Sequence, residues 1–278
     1  MVSAHPVRRS RARSRVRYGF LSLLPQKYRH VDNVQVVDKQ CLDLFVQEWL
    51  LSHEKEQILG LLFGRYESRS GASGQREIAL VYGLYKPKQR FVDGRIVLEH
   101  DDAVPVATSV ATRLGLQCIG AVFTAAPSEL VLSSFDVELL APLQWAYRRR
   151  GDFASKFVSI VIRRNAQKTI EPSAFMLSDQ CLCMYRDGLL CKPQTPELCQ
   201  ATTKGPRGEL LSTVIRNDQK LGSQEVTRFE PLFFLVELTV TMAKANSFPA
   251  VFRRYAFPAV SSRGETKDTL LSARRERT

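Results

Sequence analysis

The chain has 278 residues, 44% apolar and 24% charged, which is the balance of a globular protein long enough for one large or two small domains. No apolar run approaches the ~20 residues a helix needs to cross a bilayer, and no apolar core follows the first basic cluster as a secretory leader requires. The formal net charge of +12 points first to nucleic acid or an anionic membrane, but residues 1–30 hold seven Arg and one Lys with no acid, and residues 262–278 hold five bases and three acids; the body between them is close to neutral.

The arm MVSAHPVRRSRARSRVRYGF is expected to form a solvated, disordered segment over residues 1–24. Two other readings fit it: a mitochondrial transit peptide, because it is rich in Arg and Ser and lacks acid, and a chain start that is incomplete. LSLLPQKYRHVDNVQVVD then leads into a predicted amphipathic helix over 39–52, with Leu42, Phe45, Val46, Trp49 and Leu50 on one stripe. ILGLLFGRY (58–66) reads as a buried strand closed by the turn SRSGASG, and IALVYGLYKP (78–87) as a central strand covered on both faces. RIVLEH (95–100) is expected at a sheet edge. A second helix is predicted over 103–114, capped by Asp101 or Asp102, with Val106, Val110 and Leu114 inward and Gly115 as its stop.

CIGAVF (118–123) is a third core strand. A helical stretch then runs from Ser133 to about Ala141, with Pro142 marking a kink or an end. KFVSIVIRR (156–164) is a further strand. SAFMLSDQCLCMYRDGLL mixes periods and fixes neither helix nor strand. Pro231–Val240 reads as a buried strand, and residues 259–278 as a disordered tail. Strands alternating with helices in this order predict an α/β (α+β) domain, a mixed sheet with helices packed on it.

Six cysteines stand at 41, 118, 181, 183, 191 and 199. Cys41 and Cys118 fall in apolar patterns and read as small core residues. The other four follow C-x-C-x7-C-x7-C, which lacks the C-x-x-C turn of a zinc knuckle, and Cys181 and Cys183 would share one face of a strand; reduced structural thiols are the expectation. There is no P-loop, no G-x-G-x-x-G after a strand and no G-x-S-x-G elbow. LEHDDA (98–103) reads as a solvated helix entry. The aromatic residues sit in strands as core material, not interleaved with bases as a nucleic-acid platform needs.

One stretch, GAVFTAAPSELVLSSFD (120–136), has the frame of a zinc isopeptidase of the JAMM type. Such enzymes hold the metal with two His and one Asp, use a Glu as base and a Ser at the oxyanion. Laid over that frame, the base position is Gln57, the two His positions are Phe123 and Ala125, and Ser133 and Asp136 remain. An amide accepts no proton near neutral pH and one carboxylate gives no useful zinc affinity, so an active hydrolase is not expected. Ser133-x-x-Asp136 ahead of an apolar helix also has the spacing of a capping box.

QKYRHVDNV (26–34), GLLFGRYE (60–67), LVYGLYKPKQ (80–89), LGLQCIGAVFT (114–124), LSSFD (132–136), LSDQCLCMYRDGLL (177–190), PELC (196–199) and EVTRFEPLFFLVELTV (225–240) resemble, in order, segments of the nuclear protein localization protein 4 family. The resemblance covers about residues 25–258. It implies an MPN-like domain with a C-terminal extension, without JAMM chemistry and without a cofactor. It further implies a non-catalytic adaptor that binds ubiquitin or polyubiquitin, pairs with the ubiquitin fusion degradation protein and serves the AAA ATPase valosin-containing protein, in cytoplasm and nucleus or peripherally at the endoplasmic reticulum. The groove for ubiquitin or partner is expected near Phe123, Thr124, Ser133 and Asp136. Family members carry a ubiquitin-like domain and a zinc finger, parts that contribute to ATPase docking, ahead of QKYRHVDN, where this chain has its Arg-rich arm. The alternative is a divergent MPN interaction protein with a basic arm directed to nucleic acid or an organelle.

Overall fold

The computed structural model describes residues 18–71, 74–125, 130–149, 151–152, 154–165, 167, 169–205, 207, 209–216 and 223–242. The N-terminal seventeen residues and the tail from 243 onward lie outside it. β1 (Tyr18–Leu23) falls inside the stretch assigned to the arm. β2 (Asn33–Val36) leads into α1 (Lys39–Leu51), where Asp38 caps the N-terminus by accepting from Gln40 N, 3.0 Å. The predicted stripe is real: Leu42, Phe45 and Trp49 are buried.

β3 (Leu59–Gly71) and β4 (Gly74–Tyr85) form one long hairpin. The polar SRSGASG segment was expected as a turn, yet the ladder continues from Ser68↔Glu77 to Gly71↔Gly74. Cross-strand pairing overrides the turn composition there, with Ser68 bonded to Glu77 and Lys156 on the same carboxylate. The β3 strand bulges at Phe63/Gly64, and a Cβ on Gly64 would lie 1.9 Å from Leu80 O, so only glycine fits. β5 (Gln89–Val92) and β6 (Arg95–Leu98) make a separate two-stranded hairpin, so RIVLEH is not at the edge of the main sheet.

α2 (Ala103–Arg113) follows and packs against β7 (Gln117–Thr124). Its buried residues are Ala107 and Ala111, whereas Val106 is 62% and Leu114 39% exposed. The predicted inward face is corrected: small side chains let the helix axis approach the sheet, Val106 and Leu114 are turned out, and Val110 is half-buried. Asp101 is likewise no solvated entry. It is buried and ties three segments together, accepting from Tyr85 Oη (2.8 Å), Lys88 N (2.9 Å) and Ala103 N (3.0 Å).

α3 (Ser134–Ala146) continues through Pro142, because its capped start and buried Val137, Leu140 and Gln144 outweigh one lost helix hydrogen bond. β8 (Val158–Arg164) and β9 (Ile170–Leu177) come next, then α4 (Asp179–Arg186), so Cys181 and Cys183 lie on a helix and not on a strand. β10 (Cys199–Gln200) pairs with β13 (Arg228–Phe229), and β11 (Leu210–Arg216) lies between β1 and β12 (Ser223–Val226). A 3-10 turn, Pro231–Phe234, precedes β14 (Leu235–Met242), so only the second part of the predicted strand is one.

Seven strands close into a barrel in the order β14-β2-β4-β3-β7-β8-β9. Alternation along them sorts side chains into two cores. One holds Ile119, Val122, Ile160 and Met176 beneath α1, with Phe45 and Trp49. The other holds Leu61, Phe63, Phe123, Val161 and Phe175 beneath α2, α3 and α4. The mixed α+β architecture predicted from the element order is the one observed.

Candidate functional site

Parallel β7 and β8 end side by side, with Thr124 opposite Ile162 and Ala125 N donating to Ile162 O at 2.8 Å. β3 begins against the same end of β7, Leu59 opposite Phe123. This register brings Gln57, Phe123 and Thr124 together, and Arg163 at the end of β8 reaches the loop residues Leu130 and Val131 ahead of α3.

The contents differ from a metal site. Phe123 is 1% exposed and meets Phe175 edge-on, ring centres 6.2 Å apart and planes at 89°. Thr124 is fully buried. Its Oγ1 accepts from Ile58 N at 2.9 Å, and its carbonyl accepts from Gln57 Nε2 at 2.9 Å. The amide at the base position is therefore a structural donor that bridges two strands. Phe123 and Thr124 face the core, and of the four residues expected along a groove only Ser133 and Asp136 are partly exposed.

Ser133 and Asp136 form a capping box. Ser133 Oγ accepts from Asp136 N (3.1 Å), and Asp136 Oδ2 accepts from Ser133 N (2.8 Å) and from Ser133 Oγ (2.7 Å). The carboxyl is turned inward, and burial raises its pKa against the pull of the Ser133 bonds and the nearby Arg163 cation. Arg163 Nη2 donates to Val131 O (2.6 Å) and Nη1 to Leu130 O (3.3 Å), which pins the loop entering the helix. A side-chain cation thus stands near the carboxylate where the frame would put a metal. The residues present do not fit zinc: an arene, a methyl group, an amide and one carboxylate supply a single ligand, and among the described residues no three His, Cys, Asp or Glu side chains cluster to hold an ion.

The surface beside the box is a cleft of ≈ 240 Å³ along α3, lined by Val137, Ala141, Tyr185, Leu190 and Pro193, with Glu138 and Lys192 at its rim. Cys191 and Cys199 also line it. Burial pushes the Cys199 thiol up to about 12 and that of Cys181 well above its usual range, so neither is a nucleophile near neutral pH.

A family model described as the NPL4 family matches residues 127–268. The chain belongs to the NPL4 family. Among curated members, the human nuclear protein localization protein 4 homolog is 26% identical over 89% of this chain and 45% of its own length. The Drosophila melanogaster homolog is 25% identical over 86% of this chain and 40% of its own. Nuclear protein localization protein 4 of the yeast Lodderomyces elongisporus is 29% identical over 57% and 29% respectively. The NPL4-family chain here thus spans less than half the length of the curated relatives it matches.

Sequence reasoning missed three glutamines that complete strand ends in this NPL4-family fold. Gln89 bonds both Leu59 N and Leu59 O (2.7 Å each). Gln144 does the same at Leu177 (3.0 and 2.8 Å), and Gln180 bonds Leu24 N and Ser22 O. Each carboxamide offers a donor and an acceptor at the spacing of a peptide group. No local pattern marks them, because the partner strand is far away in sequence. Asp179 was missed in the same way. Burial opposes its charge, but hydrogen bonds from His30 and Tyr28 outweigh this and hold the carboxyl below its usual range, fastening the QKYRHVDN segment to α4.

Proposed function

We propose that the chain is a non-catalytic adaptor in ubiquitin-dependent protein degradation, built on an MPN-like scaffold that has lost its metal chemistry. In this reading it binds ubiquitin or polyubiquitin, pairs with the ubiquitin fusion degradation protein and serves the AAA ATPase valosin-containing protein. Family membership supports the pathway. One observation carries the absence of catalysis: a buried phenylalanine and a strand-bridging glutamine stand where the hydrolase frame needs a histidine and a glutamate. The names of the curated relatives speak of nuclear localization, which supports work in the nucleus; the same adaptor role is proposed to extend to the cytoplasm and to the surface of the endoplasmic reticulum.

The buried positions of Phe123 and Thr124 move the expected grip to the apolar cleft along α3, next to Ser133 and Asp136. Tyr185 and Leu190 present apolar surface there, with opposite charges at the rim, the anatomy of a small protein interface. The test is biolayer interferometry of the full chain against immobilised polyubiquitin and against the purified partner subunit. Saturable binding that Leu190→Asp weakens at least tenfold, with an unchanged melting temperature, is the expected result. No binding of either at high micromolar concentration would overturn the reading.

A further inference from the structure

A second and larger cleft, ≈ 500 Å³, lies at the other end of α3, between Tyr66 and Gln117 of the sheet and the link that joins α3 to β8. Its charges are unbalanced. Lys156 is tied to Glu77 at 2.8 Å and His30 to Asp179 at 2.9 Å, and both carboxylates are thereby engaged. Arg148 and Arg149 remain, facing one further carboxylate, that of exposed Asp152, and no ion pair joins these three among the described residues.

Arg148 is held in place. Its guanidinium lies 3.4 Å from the centre of the Trp145 ring, and Nη1 donates to Trp145 O at 2.6 Å. That bond serves the open carbonyls at the end of the helix, the ordinary reason for a base at this position. It leaves Nε unexplained. This N–H is buried and has no hydrogen-bond partner among the described residues. An unpaired buried donor costs on the order of 1–3 kcal/mol, a cost that the stacking on Trp145 and the bond to its carbonyl offset.

We propose that this cleft binds a small organic phosphate, with the oxyanion on the Arg148 and Arg149 guanidinium groups. A guanidinium stacked on an aromatic ring is held in a fixed plane, and its remaining Nη2 donor, together with the exposed Arg149 guanidinium, suits the oxygens of a phosphate. The volume lies in the range of small-molecule sites and exceeds the needs of a bare inorganic ion.

The experiment uses the full chain at low ionic strength and follows Trp145 fluorescence, with ATP, pyrophosphate and inorganic phosphate as separate probes. ATP should saturate the signal below about 1 mM and bind at least tenfold more tightly than pyrophosphate or inorganic phosphate. Affinity should fall as salt rises. Arg148→Gln and, separately, Arg149→Gln should each weaken binding about tenfold with an unchanged far-ultraviolet circular dichroism spectrum. Exposed Arg149 keeps the test decisive if Arg148→Gln unfolds. The proposal is overturned by no saturation at 5 mM of any probe, by binding that survives Arg149→Gln, or by a glutamate-rich peptide binding as tightly as ATP.

Discussion

Truncating Phe123 to alanine separates a core residue from a groove residue. The side chain is 1% exposed, lies in the core shared with α3, and stacks edge-on with Phe175. A buried Phe→Ala change costs about 3–5 kcal/mol, set by lost transfer energy and the cavity left behind. The aromatic pair contributes about 0.5–1.5 kcal/mol of that range. Parallel β8 and capped α3 press on the site from two sides, so collapse into the hole is limited and the upper part of the range applies. Against a total of about 5–15 kcal/mol for a typical domain, this is a large fraction. In urea, with m of ~3 kcal/mol/M, the midpoint should drop by about 1.3–1.7 M at unchanged m. A loss below about 1 kcal/mol would show that Phe123 does not fill the core, and the sealed-site account would fail with it.

Thr124→Val keeps the volume but leaves Ile58 N without its 2.9 Å acceptor; urea melts should show a loss of about 1–3 kcal/mol, and Thr124→Ser should recover most of it. Ser133→Ala removes the N-cap of α3, with an expected cost of about 0.5–2 kcal/mol by thermal melting; Asp136→Asn should cost less, because burial already penalises the charged carboxyl. Asp101 gives a pH signature. Burial opposes its charge, yet three hydrogen bonds hold its pKa below the ordinary 3.8. A lowered carboxyl contributes stability above the unfolded value, and that stability is lost as pH falls through the folded one. The difference in melting temperature between wild type and Asp101→Asn should therefore be largest near pH 6–7 and shrink below about pH 4.

What was legible followed local pattern. The α1 stripe, the apolar runs of β3, β4, β7 and β8, and the 133/136 capping spacing all arise from neighbours in sequence, and all are found. β1 and β2 were not legible. NVQV becomes a strand because it lies parallel to β4 and to β14, some two hundred residues away, and YGFLSL because β11 arrives beside it. The α2 face was misread because periodicity favours the larger valines, whereas the close approach to β7 selects Ala107 and Ala111. At the site, the absence of histidine at 123 and 125 was legible directly from Phe123 and Ala125. The substitutes were not: Gln57 reaches Thr124 only through the β3–β7 register, and Arg163 nears Asp136 only because β8 runs parallel to β7.

The central claim, a hydrolase frame kept without its chemistry, is tested most directly by incubating the full chain with Lys-linked diubiquitin at stoichiometric zinc and following monoubiquitin release by gel. The account predicts no release above the protein-free control, and no change on Asp136→Asn. Release that depends on zinc and disappears with Asp136→Asn would contradict it.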